Sequence, residues 1–252
     1  MRGGTKVAVI LVAGRGERLR PLTSRVPKSL VPVAGKAILG RMIETLEEWG
    51  IHSVILVTGY RARQVQEYVG RHSPGLNVRF VRNPIYAKTN TLYSLSRARR
   101  YVAGRSFLLI DGDLVFEPRV LRALLRTASG NFLVCDRSVA LDAEAVRAIG
   151  NARGVIRQVG KNSSGKGIPL GESIGLAKIG KQASRRLFTT GKKVLSKQGL
   201  QHYYEAAFQA MIDGGIEFRA VDTRGAKWAE IDTKTDLRRA QASFDKSAKH
   251  AR

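Results

Sequence analysis

The chain is expected to be an α/β protein with a mostly parallel sheet covered on both faces. Three observations carry this. Short β-rich apolar runs alternate with segments of helical apolar spacing, the runs are continuously apolar, and the first of them ends in a Gly-x-Gly loop. Val7 to Ala13 is the first strand. Leu39, Met42, Ile43, Leu46 and Trp49 then fall on one helix face, and Gly50 ends that helix. Ser53 to Thr58 and Val78 to Val81 are the second and third strands. Leu92, Leu95, Ala98 and Val102 suit a helix, and Phe107 to Ile110 is a fourth strand stopping at Asp111. Pro118 opens a helix through Ala128, and Phe132 to Cys135 is another strand. Beyond Arg137 the pattern weakens. Asn162 to Gly167 is a Ser/Gly/Lys loop, Ile174 to Ile179 a strand, and Tyr204, Ala207, Phe208 and Met211 a helical stripe. Phe218 to Val221 and a basic helix from about Lys234 finish the chain. With no internal repeat and no Pro-rich linker, residues 1–252 are expected to form one domain: a first half of about 1–137, a second of about 138–240, and a basic tail, 241–252.

Composition narrows the class. The 252 residues can bury a substantial core, and 43% apolar content excludes a disordered polycation. No apolar run is long enough to span a bilayer, and the first is followed by Gly-Arg-Gly rather than a small-residue cleavage site. The single Cys135 excludes an internal disulfide framework and a cysteine-rich zinc site. A soluble cytoplasmic protein is the expectation. The net charge is +24, and from Ala145 to Tyr204 twelve basic residues accompany one acid, Glu172. Such a stretch is either solvated surface, an attractor for anionic substrates, or a face for anionic lipid or nucleic acid. No nucleic-acid-binding motif accompanies it, so no obligatory nucleic-acid partner is expected.

The loop after the first strand reads Ala13-Gly14-Arg15-Gly16-Glu17-Arg18-Leu19-Arg20-Pro21-Leu22-Thr23, then Pro27-Lys28. Glycines there let backbone N–H groups approach phosphate oxygens without a Cβ in the way. A dinucleotide fingerprint fails, because position 19 is Leu and no acid lies between Val31 and Gly40. A Walker loop fails too, since Gly35-Lys36 is followed by Ala37. What remains is a cradle with added cations, Arg18, Arg20 and Lys28, stiffened by Pro21 and Pro27. Cations facing a triphosphate would stabilise charge moving onto departing pyrophosphate.

Gly14-x-Gly16-x-Arg18-x-x-Pro21-Leu22-Thr23 with Pro27-Lys28 resembles the signature of nucleotidyltransferases that couple a nucleoside triphosphate to a phosphorylated acceptor. Asn83-Pro84-x-Tyr86-x-x-Thr89-Asn90-x-x-Tyr93-Ser94-Leu95 is similar to a segment of cytidylyltransferases acting on phosphocholine, inositol phosphate or phosphonates. Asp111-Gly112-Asp113 resembles the acidic strand end of that family, and Glu230-Ile231-Asp232-Thr233 with Asp236-Leu237 its C-terminal acidic motif. The resemblance spans roughly Val7 to Ala240. It implies a Rossmann-like mixed sheet of the nucleotide-diphospho-sugar transferase (GT-A-like) type, with a nucleotide-binding first half and an acceptor-binding subregion in the second.

The same resemblance implies an enzyme that transfers a cytidylyl group from CTP to a small phosphorylated alcohol or phosphonate, releasing pyrophosphate. Ala13, Gly14, Gly16, Glu17, Arg18 and Asn90 would bind the nucleotide, with Arg18 and Lys28 acting catalytically from a solvated loop. Asp113 and Asp232 would hold Mg²⁺, a hard ion suited to carboxylate and phosphate oxygens, with Asp111 an additional candidate. Asp232 could instead complement the dipole of the helix that follows. No elaborate base is needed, because a phosphate monoester with a second pKa near ~6 is already largely dianionic at neutral pH. Glu172, Tyr204, Glu205 and Trp228 are candidates for the acceptor's head group: aromatic faces beside carboxylates suit a cation, and carboxylates equally accept hydrogen bonds from hydroxyls. Glu205 could also simply face solvent from a helix. Two alternatives stay open, a sugar-1-phosphate nucleotidyltransferase using UTP or dTTP and a basic nucleic-acid-binding module, and adhesion to an anionic membrane surface is compatible with the charge.

Overall fold

The computed structural model describes residues 5–139, 141–161 and 163–248, which leaves Asn162 and the end of the expected basic tail outside the described residues. Strands β1 (Val7–Val12), β4 (Ser53–Thr58), β5 (Asn77–Arg82) and β6 (Phe107–Asp111) form the parallel heart of the sheet, between them a short ribbon, β2 (Pro32–Val33) with β3 (Lys36–Ala37). Helices α1 (Ile38–Glu48), α2 (Ala62–His72), α3 (Thr91–Arg97) and α4 (Arg99–Val102) connect them. Then follow β7 (Leu114–Phe116), α5 (Pro118–Leu125), β8 (Phe132–Asp136), β9 (Arg147–Gly150), β10 (Ile156–Gly160) and β11 (Ile168–Ile179). Helices α6 (Lys181–Gln198) and α7 (Glu205–Asp213), strands β12 (Arg219–Asp222) and β13 (Trp228–Glu230), and α8 (Lys234–Ala248) complete the chain.

The main sheet runs β10-β9-β11-β6-β1-β4-β5, with β8 pairing β11 and β12 pairing β8. Its parallel strands read as continuous apolar runs because both faces are covered. In β1, Ala8, Ile10 and Val12 enter one core with α1, α5 and α8, whereas Val9 and Leu11 enter the other with α3, α6 and α7. The chain leaves β1 for β4 on one side and later returns to β6 on the other. The carboxyl ends of β1 and β6 therefore meet at the point where strand order reverses, where open α/β sheets bind ligands. The glycine loop follows β1, and Asp111-Gly112-Asp113 starts on the last residue of β6, so both lie in that crevice.

The second half is antiparallel. The expected strand from Ile174 is the end of a longer one: β11 begins at Ile168, and its first part pairs with β9 while its last part pairs with β6. Gly171 (φ 104°) and Gly175 (φ 78°) take backbone angles in the left-handed half of the map along this strand, where its register shifts. The hairpin β9–β10 and helices α2 and α6 were not legible as elements. Helix α5 ends at Leu125, three residues before the expected Ala128, and the Leu92-to-Val102 stripe is two helices rather than one. Among the described residues no helix is long and apolar enough to cross a membrane.

Candidate active site

The glycine loop is bound to its surroundings by its own backbone. Tyr60 N–H donates to Ala13 O (3.0 Å), Thr23 Oγ1 donates to Gly16 O (2.7 Å), and the Tyr60 hydroxyl donates to Thr23 O (3.0 Å). Gly16 adopts φ +62°, and a Cβ there would stand 3.0 Å from Lys28 Cβ, so this glycine lets Lys28 pass under the loop. Gly14 differs: a Cβ there would meet nothing within 4 Å. Among the described residues nothing covers Gly14, so its backbone is accessible to an approaching group.

Asp232 reaches this crevice through a two-stranded ribbon. Strand β13 pairs antiparallel with β7, placing Glu230 opposite Leu114, and Ile231 N–H donates to Asp113 O at 3.0 Å. Helix α8 then starts from its own capping box. Asp236 Oδ2 accepts from Thr233 N–H (2.7 Å) and the Thr233 hydroxyl (2.8 Å), and Asp236 N–H donates back to Thr233 Oγ1. Thr233 and Asp236 do the capping, so the Asp232 side chain is not spent on the helix end. It faces the cations instead.

Lys28 Nζ donates to Asp113 Oδ2 at 2.6 Å and also to Asp232 Oδ1, while the Arg18 guanidinium donates to Asp232 Oδ2. Contrary to the expectation of a solvated loop lysine, the Lys28 side chain is only 12% exposed. Burial opposes its charge, but Asp113 and Asp232 outweigh burial and hold the ammonium well above its usual pKa. Burial likewise pushes against the Asp232 carboxylate, yet Lys28 and Arg18 hold it below the usual carboxylate range. One carboxylate oxygen from each of Asp113, Glu230 and Asp232 lies within 4.8 Å of the others. Asp113 Oδ1 is buried without a hydrogen-bond partner among the described residues. Three clustered oxygen donors with an orphaned oxygen fit a hard divalent cation. Glu230 keeps an exposed edge, but crowding by protein, Asp113 and Asp232 push its carboxyl up to about 8. Sequence reasoning missed it as a ligand, although Glu230 and Asp232 two residues apart on an extended segment share a side.

Asp111 does not join that trio. Its Oδ2 accepts from the Tyr204 hydroxyl (2.8 Å), its Oδ1 is buried without a partner, and burial, Asp113 and Glu205 push its carboxyl well above the usual range. A Cβ at Gly175 would sit 2.6 Å from Asp111 Oδ2, so the glycine makes room for this carboxyl. Tyr204 is 3% exposed and its ring packs on Phe208, so the structure does not present it as an aromatic face to a ligand. The expectation for Tyr204 is corrected: it holds Asp111.

Glu205 does not face solvent. It is 8% exposed, its Oε2 has no partner, and burial pushes its carboxyl up to about 7. It lines a cavity of 540 Å³ with Lys161, His202, Tyr203 and Gln209. Glu172 and Trp228 are not among the residues that line this cavity; they are joined to each other through a residue that sequence reasoning missed. Asp136, which ends β8 as Asp111 ends β6, stands opposite Glu172 in the sheet and accepts from Trp228 Nε1 at 2.6 Å. Burial, Asp142 and Asp136 raise the Glu172 carboxyl. The Lys161 ammonium pairs with Glu144 at 2.7 Å and lies 4.9 Å over the Tyr203 ring. Glu17 is exposed beside Arg15, and Arg15 lies over the Tyr86 ring at 5.7 Å. Asn90 caps α3 through Thr91 N–H (2.8 Å). The Asn83 side chain, wholly buried, ties Thr89 and Ser94 together at 3.0 Å each.

A glycine cradle with an open approach, two cations on a carboxylate cluster and a sheet of this order define the GT-A-like α/β class of nucleotidyltransferases. The chain belongs to the family of MobA-like NTP transferase domains, whose model matches residues 8–167. It is similar to the CMP-5'-(3-aminopropyl)phosphonate synthase of Streptomyces rubellomurinus, at 32% identity over 94% of this chain and 38% of that one. It is similar to the bifunctional IPC transferase and DIPP synthase of Rubrobacter xylanophilus, at 33% identity over 92% of this chain and 50% of that one. The chain thus spans half or less of the length of these relatives. The solved inositol-1-phosphate CTP transferase from T. maritima shares the fold, with a TM-score of 0.80 at 22% identity over 97% of both chains.

Proposed function

We propose that this domain transfers a cytidylyl group from CTP to a small phosphorylated alcohol or a phosphonate and releases pyrophosphate. The observation that carries the reading is the arrangement of Lys28 and Arg18 on Asp113 and Asp232, under an open glycine loop at the crevice between β1 and β6. The names of the relatives support the cytidine nucleotide and the phosphonate or phospho-alcohol acceptor.

Asp113 and Asp232, joined by Glu230, would hold Mg²⁺. When bound, the ion would neutralise phosphate oxygens and relieve repulsion between the two anionic substrates. The loop from Ala13 to Arg18 binds the triphosphate through backbone N–H groups, and Arg18 and Lys28 stabilise charge gathering on the departing pyrophosphate. An oxygen of the acceptor phosphate, already anionic, attacks the α-phosphorus. The bond to the β-phosphate oxygen breaks, and pyrophosphate leaves with that electron pair. No side chain needs to remove a proton. On the acceptor side Glu205 is a buried carboxyl that shares its cavity with the cation Lys161, and Glu172 is a half-buried one on β11. Such carboxyls suit a cationic head group, such as an aminoalkyl or a choline, and equally accept hydrogen bonds from the hydroxyls of an inositol.

The test is a pyrophosphate-release screen of CTP, UTP, ATP and GTP against phosphocholine, inositol phosphate, aminoethylphosphonate and glucose 1-phosphate. Turnover with CTP and one of the first three acceptors is expected. Turnover confined to UTP with glucose 1-phosphate would replace this reading with the sugar-nucleotide one.

A further inference from the structure

Helix α6 carries Lys181, Arg185, Arg186, Lys192, Lys193 and Lys197 and no acid. All six are exposed, while Leu187, Phe188 and Val194 are buried against the sheet. At about 100° per residue the cations fall within an arc of roughly 160°, and at 1.5 Å per residue that face is about 27 Å long. The charge continues past the helix. A Cβ at Gly104 would meet Arg185 Nε at 2.8 Å, so Arg185 lies against the backbone beside Arg105. Arg105, Arg79 and Arg100 line a depression of 430 Å³, in which Arg79 and Arg100 sit over the Tyr101 ring at 5.2 and 4.6 Å. Among the described residues none of these nine cations has an ion-pair partner. On the opposite face of the sheet, by contrast, Arg63 and Arg71 flank Glu67, and Lys36 pairs with Glu44.

Cations gathered without acids repel one another, and an extended anionic surface relieves that repulsion. We propose that this face docks the protein on an anionic lipid bilayer through headgroup phosphates. Two features favour a bilayer over a nucleic acid. Tyr101 is already stacked by two guanidiniums, so it offers no open platform for a base. Just beyond α6, Leu200 (38% exposed) and Tyr203 (44%), whose ring lies under the Lys161 ammonium at 4.9 Å, add an apolar and an aromatic side chain with a cation beside them, a grouping suited to a membrane interface. Tyr203 also lines the 540 Å³ cavity. The inference is independent of the catalytic reading.

The experiment is co-sedimentation of the full chain with vesicles of phosphatidylcholine, with and without phosphatidylglycerol, at low and high salt. Binding is expected only with phosphatidylglycerol, weakening as salt rises. K192E/K193E should lower the partition coefficient about tenfold or more. R238E/R239E makes the same change in net charge on exposed positions of α8 and should retain binding. Circular dichroism checks the fold of each variant, and K192Q/K193Q replaces the reversal if that variant unfolds. Absence of binding to anionic vesicles, or equal losses in the α6 and α8 variants, would overturn the proposal. Tighter binding of a single-stranded RNA through the same lysines would overturn it in favour of nucleic acid.

Discussion

Two groups of acids in this molecule are treated in opposite ways. Where β1 and β6 end, Asp113 and Asp232 are paired with Lys28, and Asp232 also with Arg18, so Asp232 stays ionised below its ordinary range. Asp111 at the end of β6, Glu172 on β11 and Glu205 at the start of α7 have no ion-pair partner among the described residues, and burial drives all three upward, as it does Glu230 beside the paired acids. The first group is built to hold charge and the second to want it. The contrast teaches that a carboxylate's role follows from the cations its neighbours supply, since one pKa unit is about 1.4 kcal/mol of preference between its two forms.

The sharpest way to break the comparison is to remove the charge-holding side. Asp113→Asn or Asp232→Asn is expected to lower kcat by about 10²-fold or more, measured by pyrophosphate release at saturating Mg²⁺. Near-normal turnover in either would remove that residue from the ion site. Lys28→Ala should lower kcat by about 10–10²-fold, with a smaller change in KM for CTP, because its ammonium acts on developing charge. A change in Tm alone would make it a structural lysine. On the charge-wanting side, Glu205→Gln should raise the acceptor KM by about 5–20-fold and leave the CTP KM unchanged, while Glu172→Gln should do less. Unchanged acceptor kinetics in both would dissolve the proposed head-group site.

The smallest effect is one of stability. The Glu205 carboxyl is raised in the folded chain from an ordinary value of 4.5 to about 7, so the folded state binds a proton that the unfolded state has released. That contribution is complete below the unfolded value and is lost as pH rises through about 7. Glu205→Gln should therefore gain on the parent by about 1–3 kcal/mol between pH 5 and pH 8, read as a widening difference in Tm. A constant difference across that range would mean that Glu205 titrates normally.

Much of the molecule was legible because it is local. The apolar runs of β1, β4 and β6, the stripe of α7 and the glycine loop each follow from residues adjacent in the chain. Glu230 carried a readable signal two positions before Asp232, and Asp136 one at the end of its strand, yet neither spacing says which partner it meets. Lys161 carried none, lying at the end of a hairpin whose strands show no strong pattern.

By itself, then, the sequence determined an alternating α/β chain, a glycine turn with its cations, and acids after a core strand and before the last helix. These depend on side-chain period, φ freedom and charge, which neighbours along the chain settle. Only the tertiary structure decided that β13 pairs with β7 and so carries Asp232 to Asp113 and Lys28. It also decided that Lys28 is enclosed, that Thr233 and Asp236 relieve Asp232 of capping, and that Tyr204 is spent on Asp111 while Glu205 is left buried. The reason is physical. Pairing register and burial depend on segments far apart in the chain meeting in one core, and burial together with the nearest opposite charge decides what a carboxylate does.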